Sequence, residues 1–484
     1  MSTHTNQDSR TDDHAADAAG TDENSTAALA STSGIAADIA ADVNVNRRIL
    51  ALALPTFGQL IAEPTFIIID TAIVGHIGDA ALAGLSIGST IILTAVGLCI
   101  FLAYSTTAQV AHLLGAGRRR EGLQAGIDGL WLAIGIGVVL GVGLFAGAEP
   151  LCRALGGRGD VLAQAVAYTR AIVLGAPGML LVYAANGIFR GLQKVRITLV
   201  AAASGAVLNT VLEVLFVIVF GWGITGSGAA TLIAQWYMGL FLTIPAILWA
   251  RADGASLKPR LAGIAAAGGD GLPLFIRTLA IRAAMVATVA CAARMGTPVL
   301  AGFQAVNSCW NFAMNMLDSV GIAGQTLVAT ALGAGGVAGR AQARRLTAAT
   351  GRAGLATGAL IGVAFAIIGL FAGHVFSPTP AVQLLVAAGM VTMGVFFPLQ
   401  GWMMAIDGIL IGARDYRYLA ATCTATAATY ILLVFALADA ATATPILPND
   451  LARTVALWTL FNLVLMGGRG LFNGLRVRTD RWMR

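Results

Sequence analysis

Residues 82–114 read LAGLSIGSTIILTAVGLCIFLAYSTTAQVAHLL, with no Asp, Glu, Lys or Arg at any position. Gly115-Ala116-Gly117 and the triplet Arg118-Arg119-Arg120 close the run. About 20 predominantly apolar residues in a helix span a bilayer core, so this stretch predicts a membrane-crossing helix. Its apolar residues are continuous and do not alternate, which excludes a strand of a membrane barrel. Similar runs, split by Gly, Pro and Arg clusters, recur near 49–75, 122–147, 161–190, 196–221 and 226–250. Six more follow near 272–295, 299–332, 341–372, 380–412, 416–439 and 451–475. The prediction is an all-α polytopic membrane protein of twelve transmembrane helices.

Composition points the same way. Of 484 residues 57% are hydrophobic and 11% charged, with a mean hydropathy of +0.79; a soluble domain carries about 25% charged residues. An ordinary cytoplasmic enzyme and a secreted disulfide scaffold are therefore excluded. Cys99, Cys152, Cys291, Cys309 and Cys423 have no ligand spacing and read as small apolar helix residues. The five histidines form no HExxH, so neither a metal site nor a cofactor is expected. Lys194 and Lys258 are the only lysines and neither precedes Ser or Thr, so there is no P-loop. Energy for any work must come from elsewhere.

Residues 1–46 are a different material: eight acids, one Arg, and mostly Ala, Ser, Thr and Asn. They predict a disordered acidic tail without the basic and apolar regions of a signal peptide. Cytoplasmic loops collect Lys and Arg. With the tail inside, 22 of these residues fall in inside segments and 4 in outside loops. Both termini are thus expected in the cytoplasm of a bacterial inner-membrane protein. The bias also explains the basic net charge without nucleic acid.

The chain repeats itself. Leu54-Pro55, Leu82-Ala83-Gly84 and Leu114-Gly115-Ala116-Gly117 recur 218 residues later as Leu272-Pro273, Leu300-Ala301-Gly302 and Leu332-Gly333-Ala334-Gly335. Asn186-Gly187-Ile188 with Gly191 has a late counterpart in Asp407-Gly408-Ile409 with Gly412. Six helices per half keep the orientation, so two parallel six-helix lobes around a central cavity are predicted, an arrangement transporters use for alternating access. The expected division is an N-terminal lobe at 47–250, a cytoplasmic linker at 251–271, a C-terminal lobe at 272–475 and a basic tail at 476–484.

Ionisable residues at membrane depth are functional candidates. The first half offers Glu63, Asp70, Asp128 and Glu213; the second offers Arg277, Arg282, Asp318 and Asp407. Glu63 and Asp70 lie seven apart, so they share a helix face about 10 Å apart along the axis. Pro64 between them removes a helix hydrogen bond and predicts a hinge. Asn209 and Glu213, four apart on helix 5, are neighbours. Asp70 and Glu213 can share one depth in the outer half of the first lobe. A buried carboxyl resists ionisation, and a second carboxyl beside it does so further. Such a pair can take a proton outside and release it inside. At the 218 offset, Arg277 replaces Gln59, Arg282 replaces Pro64 and Thr288 replaces Asp70, so the halves are chemically unequal. Arg277 and Arg282 are expected to snorkel to the cytoplasmic face or to pair with Asp318 or Asp407, which read as structural ion pairs or caps. Glu63, Gln59, Arg277, Asp318 and Asp407 are candidates for the cavity wall.

The stretch from Leu54-Pro55 to Gly78, with Asp70-Thr71-Ala72-Ile73-Val74-Gly75-His76, resembles the first helix of MATE (multidrug and toxic compound extrusion) transporters of the DinF subfamily. Asn209-Thr210-Val211-Leu212-Glu213, followed by Gly221-Trp222-Gly223, resembles their fifth. The resemblance covers about 47–475. It implies a secondary antiporter that exports cationic or amphipathic organic compounds against protons. It also implies Asp70 as the proton site, with Asn209 and Glu213 beside it and Asn186 as a further cavity residue. The chain departs in having Glu213 where Asp is commoner, so this acid reaches one methylene further. The expected partners are small organic cations or amphipaths, protons and the bilayer, and the chain is expected to act as a monomer.

Sodium is the alternative coupling ion, with Asp70, Asn209 and Glu213 as hard ligands. A lipid or lipid-linked oligosaccharide flippase of the same fold needs a basic cavity, toward which Arg277 and Arg282 alone could contribute. An intramembrane protease would use Ser86 of Gly84-Leu85-Ser86-Ile87-Gly88, but no span centre offers a base. A channel does not require duplicated, unequal lobes.

Overall fold

The computed structural model describes residues 44–62, 64–65, 68–371, 373–443 and 447–483. The expected tail, apart from its last three residues, and Glu63 lie outside the described residues. No strand occurs among them. Helix α1 runs within 44–75, and α2 is Asp79–Gly115, α3 Arg119–Ala146, α5 Val195–Val219 and α6 Gly223–Ala252. Helix α4 is Gly159–Val173 and Ala176–Gly191, joined at 47°. In the second half α7 is Leu261–Met295, α8 Thr297–Ala334, α9 Gly336–Phe371, α10 Pro380–Gly412, α11 Tyr416–Ala443 and α12 Asp450–Val477. Among the described residues nine of these are long and apolar enough to cross a membrane, and the bent α4 makes a tenth. Helix α8 is not one of them, because Gln304, Ser308, Asn311, Asn315 and Asp318 put a polar stripe along one face.

The bend in α4 sits at Leu174-Gly175, and Pro177 lies in the first turn of the second segment. A proline there lacks only a donor that the helix start leaves unused. The expected linker 251–271 is mostly helical, since α6 continues to Ala252 and α7 begins at Leu261. The cause is docking. Gly263 lies against the Asp128 carboxylate and Gly271 against the Phe101 ring, where a Cβ would come within 2.0 and 2.4 Å. Asp128 also accepts from Arg260 at 2.6 Å, which fixes the helix start to α3.

Small residues set the helix spacing. On α9, Gly354, Gly358 and Gly362 stand four apart against the backbones of Gly401, Phe397 and Gly394 on α10, the close approach that small-xxx-small stripes allow. Both glycines of the Gly84–Gly88 motif pack on α4, at Gln164 and Tyr168. That motif is therefore a packing surface, and Ser86 points away from it, exposed.

The repeat recurs in the contacts. Gly84 meets Gln164 as Gly302 meets Leu385, and Gly187 meets Ala103 as Gly408 meets Gly321. Gly78 and Gly296, also 218 apart, both carry positive φ (146° and 129°) in the turns before α2 and α8. Helices α2 and α8 then cross each other at the repeated Leu-Gly-Ala-Gly motif. A Cβ on Gly115 would lie 1.9 Å from the Thr330 carbonyl oxygen, and one on Gly333 would lie 1.9 Å from the His112 carbonyl oxygen. Gly333→Ala should therefore destabilise the crossing by about 1–3 kcal/mol, read as a lower thermal midpoint in detergent. Gly135→Ala, with open space around the new methyl, should leave the midpoint level or raise it. Equal midpoints for the two variants would show that the crossing yields freely.

Candidate functional site

Three helices of the first half bring their scarce polar residues to one point. Asp70 comes from the last turns of α1, Asn209 and Glu213 from α5, and Ser227 and Thr231 from α6. Asp70, Asn209 and Glu213 are 4%, 2% and 0% exposed. The Asn209 amide Nδ2 donates to Asp70 Oδ1 at 2.7 Å. Glu213 and Thr231 face the same carboxyl, and Ser227 lies beside Glu213. Helix α5 changes to a π-helical stretch at Val214–Val219, immediately after Glu213. Such wide turns break the regular ladder and are frequent at functional positions.

The cluster is short of donors. Both oxygens of Glu213, Asn209 Oδ1 and Ser227 Oγ are buried with no hydrogen-bond partner. No Lys or Arg among the described residues pairs with Asp70 or Glu213 within 4.0 Å. Two adjacent carboxyls that only accept leave the site incomplete, and a proton on one converts it into a donor. Among the described residues no group of three or more His, Cys, Asp or Glu could hold a metal ion.

Asp70 lines a cavity that Asn209 and Glu213 do not. A space of about 100 Å³ in the first half is lined by Asp70, Gln59, Tyr168, Tyr183, Asn186 and Gln235, with an apolar remainder that includes Leu85, Ile92 and Met238. Asn209 and Glu213 sit behind Asp70. The second half has the same construction without the charge. Thr288, 218 residues after Asp70, hydrogen-bonds Tyr430, 221 after Asn209, at 2.8 Å. Val434 stands 221 after Glu213, fully buried.

A larger cleft of about 520 Å³ adjoins this cavity through Gln59, Tyr183 and Asn186 and lies between the two halves. Helix α8 lends it Asn311, Asn315 and Asp318, and Pro64 lines it from α1. Among the described residues Asp318 makes no ion pair; it accepts from the Tyr104 hydroxyl of α2 at 2.9 Å. This corrects its expected role, and the partner lies 214 residues away in the other half. Arg282 lines the cleft and makes no ion pair with Asp318 or Asp407 among the described residues.

Arg277 and Asp407, expected at the cavity wall, line neither of these two cavities. They bind each other in the interior of the second half, with Arg469 at 3.3 Å and Asn473 at 3.1 Å also on Asp407. Arg190 was missed. Its proximity to Lys194 and Arg196 makes it look like a loop residue, yet it is 4% exposed and faces the cleft. Its spacing of four from Asn186 is the signal that could have found it.

The MatE family model matches residues 55–215, which run from α1 to α5 and enclose Asp70, Asn209 and Glu213. DNA damage-inducible protein F of Escherichia coli is 26% identical over 75% of this chain and 79% of its own length. The chain is therefore similar to MATE proteins over its first five helices. Protein DETOXIFICATION 44, chloroplastic, of Arabidopsis thaliana is 29% identical over 60% of this chain, and the match spans 58% of the plant protein. A Vibrio cholerae MATE transporter superposes with a TM-score of 0.79 at 18% identity, over 91% of this chain and 99% of that one. The probable multidrug resistance protein NorM of Xanthomonas campestris pv. campestris is 26% identical over 59% of this chain and 64% of its own length. Asp70, Asn209 and Glu213 thus lie in the part that the family model covers.

Proposed function

We propose that this chain is a proton-coupled antiporter that exports cationic or amphipathic organic compounds by alternating access of two lobes, 47–250 and 272–475. The carrying observation is the Asp70–Asn209–Glu213 cluster: buried, unpaired by any described cation, short of donors, and open to the first-half cavity at Asp70. Proton entry at Asp70 removes the negative charge from the cavity wall and turns that carboxyl into a donor toward Glu213. The wall then loses its attraction for a polar or cationic group of the cargo. Deprotonation restores it. Pro64, at the cleft edge of α1, is the point where this helix can yield. The unequal halves support coupling in the first half alone, since Thr288 and Tyr430 titrate nothing near neutral pH. Both termini lie in the cytoplasm of a bacterial inner membrane in this reading, and the chain works as a monomer.

The test is dye accumulation in inside-out vesicles, with a proton gradient and a sodium gradient imposed separately. Ethidium and a dansylated fatty acid serve as dyes of opposite charge. Accumulation with an acidic lumen and no sodium supports the proposal. Accumulation that requires a sodium gradient would assign the orphaned oxygens of Asn209, Glu213 and Ser227 to a sodium ion and overturn proton coupling.

A further inference from the structure

Among the described residues no anion touches the Arg190 guanidinium, and the Asp318 carboxylate acts on it only at longer range. Arg190 is 4% exposed, its Nη2 donates to Gln59 Oε1 at 2.7 Å, and its Nε is buried with no partner. Among the described residues no carboxylate lies within 4.0 Å of its guanidinium. One turn away on the same face of α4, Asn186 is also 4% exposed, its side chain makes no hydrogen bond among the described residues, and its Oδ1 is an orphan. Both line the cleft between the halves. Of the other described charges in the cleft wall, Arg282 is unpaired and Asp318 already accepts from Tyr104.

Burying an unpaired guanidinium is unfavourable by several kcal/mol, so a fold that keeps one at a cavity wall has a use for it. Gln59 positions it by taking one N–H of the five, and the rest of the fork is left for a ligand. A guanidinium fork matches the two oxygens of a carboxylate or the face of a phosphate. The adjoining cavity offers an apolar wall of Leu85, Ile92 and Met238 beside its polar residues. We infer that Arg190, with Asn186 beside it, seats an anionic group, a carboxylate or phosphate, of an amphipathic substrate whose apolar body occupies the first-half cavity. The inference rests on the reading of the cleft as the transport path and narrows its cargo. Asp70 and Arg190 then address opposite ends of the pocket, so a zwitterion fits as well.

The test is equilibrium binding to the full-length protein in detergent, which needs no gradient and so fails independently of proton coupling. The probes are 11-(dansylamino)undecanoate and its methyl ester, which share a body and differ in the charge. The wild type should bind the acid about tenfold or more tightly than the ester, since a charge-assisted bond is worth at least that factor. Arg190→Gln should remove the preference and leave ester affinity unchanged, whereas Arg190→Lys should keep part of it. Equal binding of acid and ester by the wild type would overturn the inference, with or without a stable variant. So would a preference that survives Arg190→Gln. Displacement of the acid by short-chain phosphatidylglycerol assigns the site to lipid headgroups. Displacement by octyl phosphate alone assigns it to soluble amphipaths, and displacement by neither overturns the site.

Discussion

In inside-out vesicles with an acidified lumen, Asp70→Asn should lower dye accumulation to that of vesicles lacking the protein, while the protein stays folded. The substitution is nearly isosteric. Asn keeps an acceptor for the Asn209 amide, bonded at 2.7 Å in the wild type, and adds a donor toward the orphaned Glu213 oxygens. The thermal midpoint should therefore hold or rise. What is lost is the carboxyl that contacts the cavity. Glu213→Gln should slow transport about tenfold or more and not abolish it, because Glu213 acts from behind Asp70 through one charged contact of about 1.5–3 kcal/mol. Tyr430→Phe is the control from the other half. It breaks the Thr288–Tyr430 bond, at about 1 kcal/mol of stability, and should leave the proton drive intact. Full transport by Asp70→Asn would sink the coupling site. A collapse of folding in that variant would make Asp70 a structural residue.

The helices were legible because charge is scarce. When 11% of the residues are charged, each Arg cluster marks a loop, and each isolated acid in an apolar run stands out. Asp70, Asn209 and Glu213 could be grouped from depth and helical spacing, and the fold does place them together. What the linear chain hides is set by packing between helices. Arg190 is drawn under the surface because Gly187 and Gly191 let α4 close on Ala103 and Val110 of α2. Asp318 finds a tyrosine and not an arginine because α2 and α8 cross, which only the three-dimensional arrangement determines. Helix α7 starts at Leu261, earlier than its apolar run, because Arg260 and Gly263 dock on Asp128. The stripe from Gln304 to Asp318 was diluted by its apolar neighbours and emerges only as a face.

The second-half ion cluster calls for the opposite result. Asp407→Asn should destabilise the protein by about 3–5 kcal/mol, because removing one member of a buried ion group strands the others. Here two are stranded: the side chains of Arg277 and Arg469 are 9% and 3% exposed, and Asp407 is the anion both use. Asparagine keeps one acceptor oxygen for them but loses the negative charge that offsets two buried guanidinium groups. Arg277→Met should cost less, because Asp407 keeps Arg469 and Asn473 and the methionine fills the space. The measurements are the thermal midpoint in detergent and the folded yield from membranes, and the expected order is wild type above Arg277→Met above Asp407→Asn. That order separates the Asp70 site from the Asp407 site. At Asp70 a neutral isostere should be tolerated by the fold and fatal to coupling, because no cation depends on the charge. At Asp407 the same chemical change should be fatal to the fold, because two cations do. An Asp407→Asn protein with an unchanged midpoint and lost transport would return this cluster to the transport machinery.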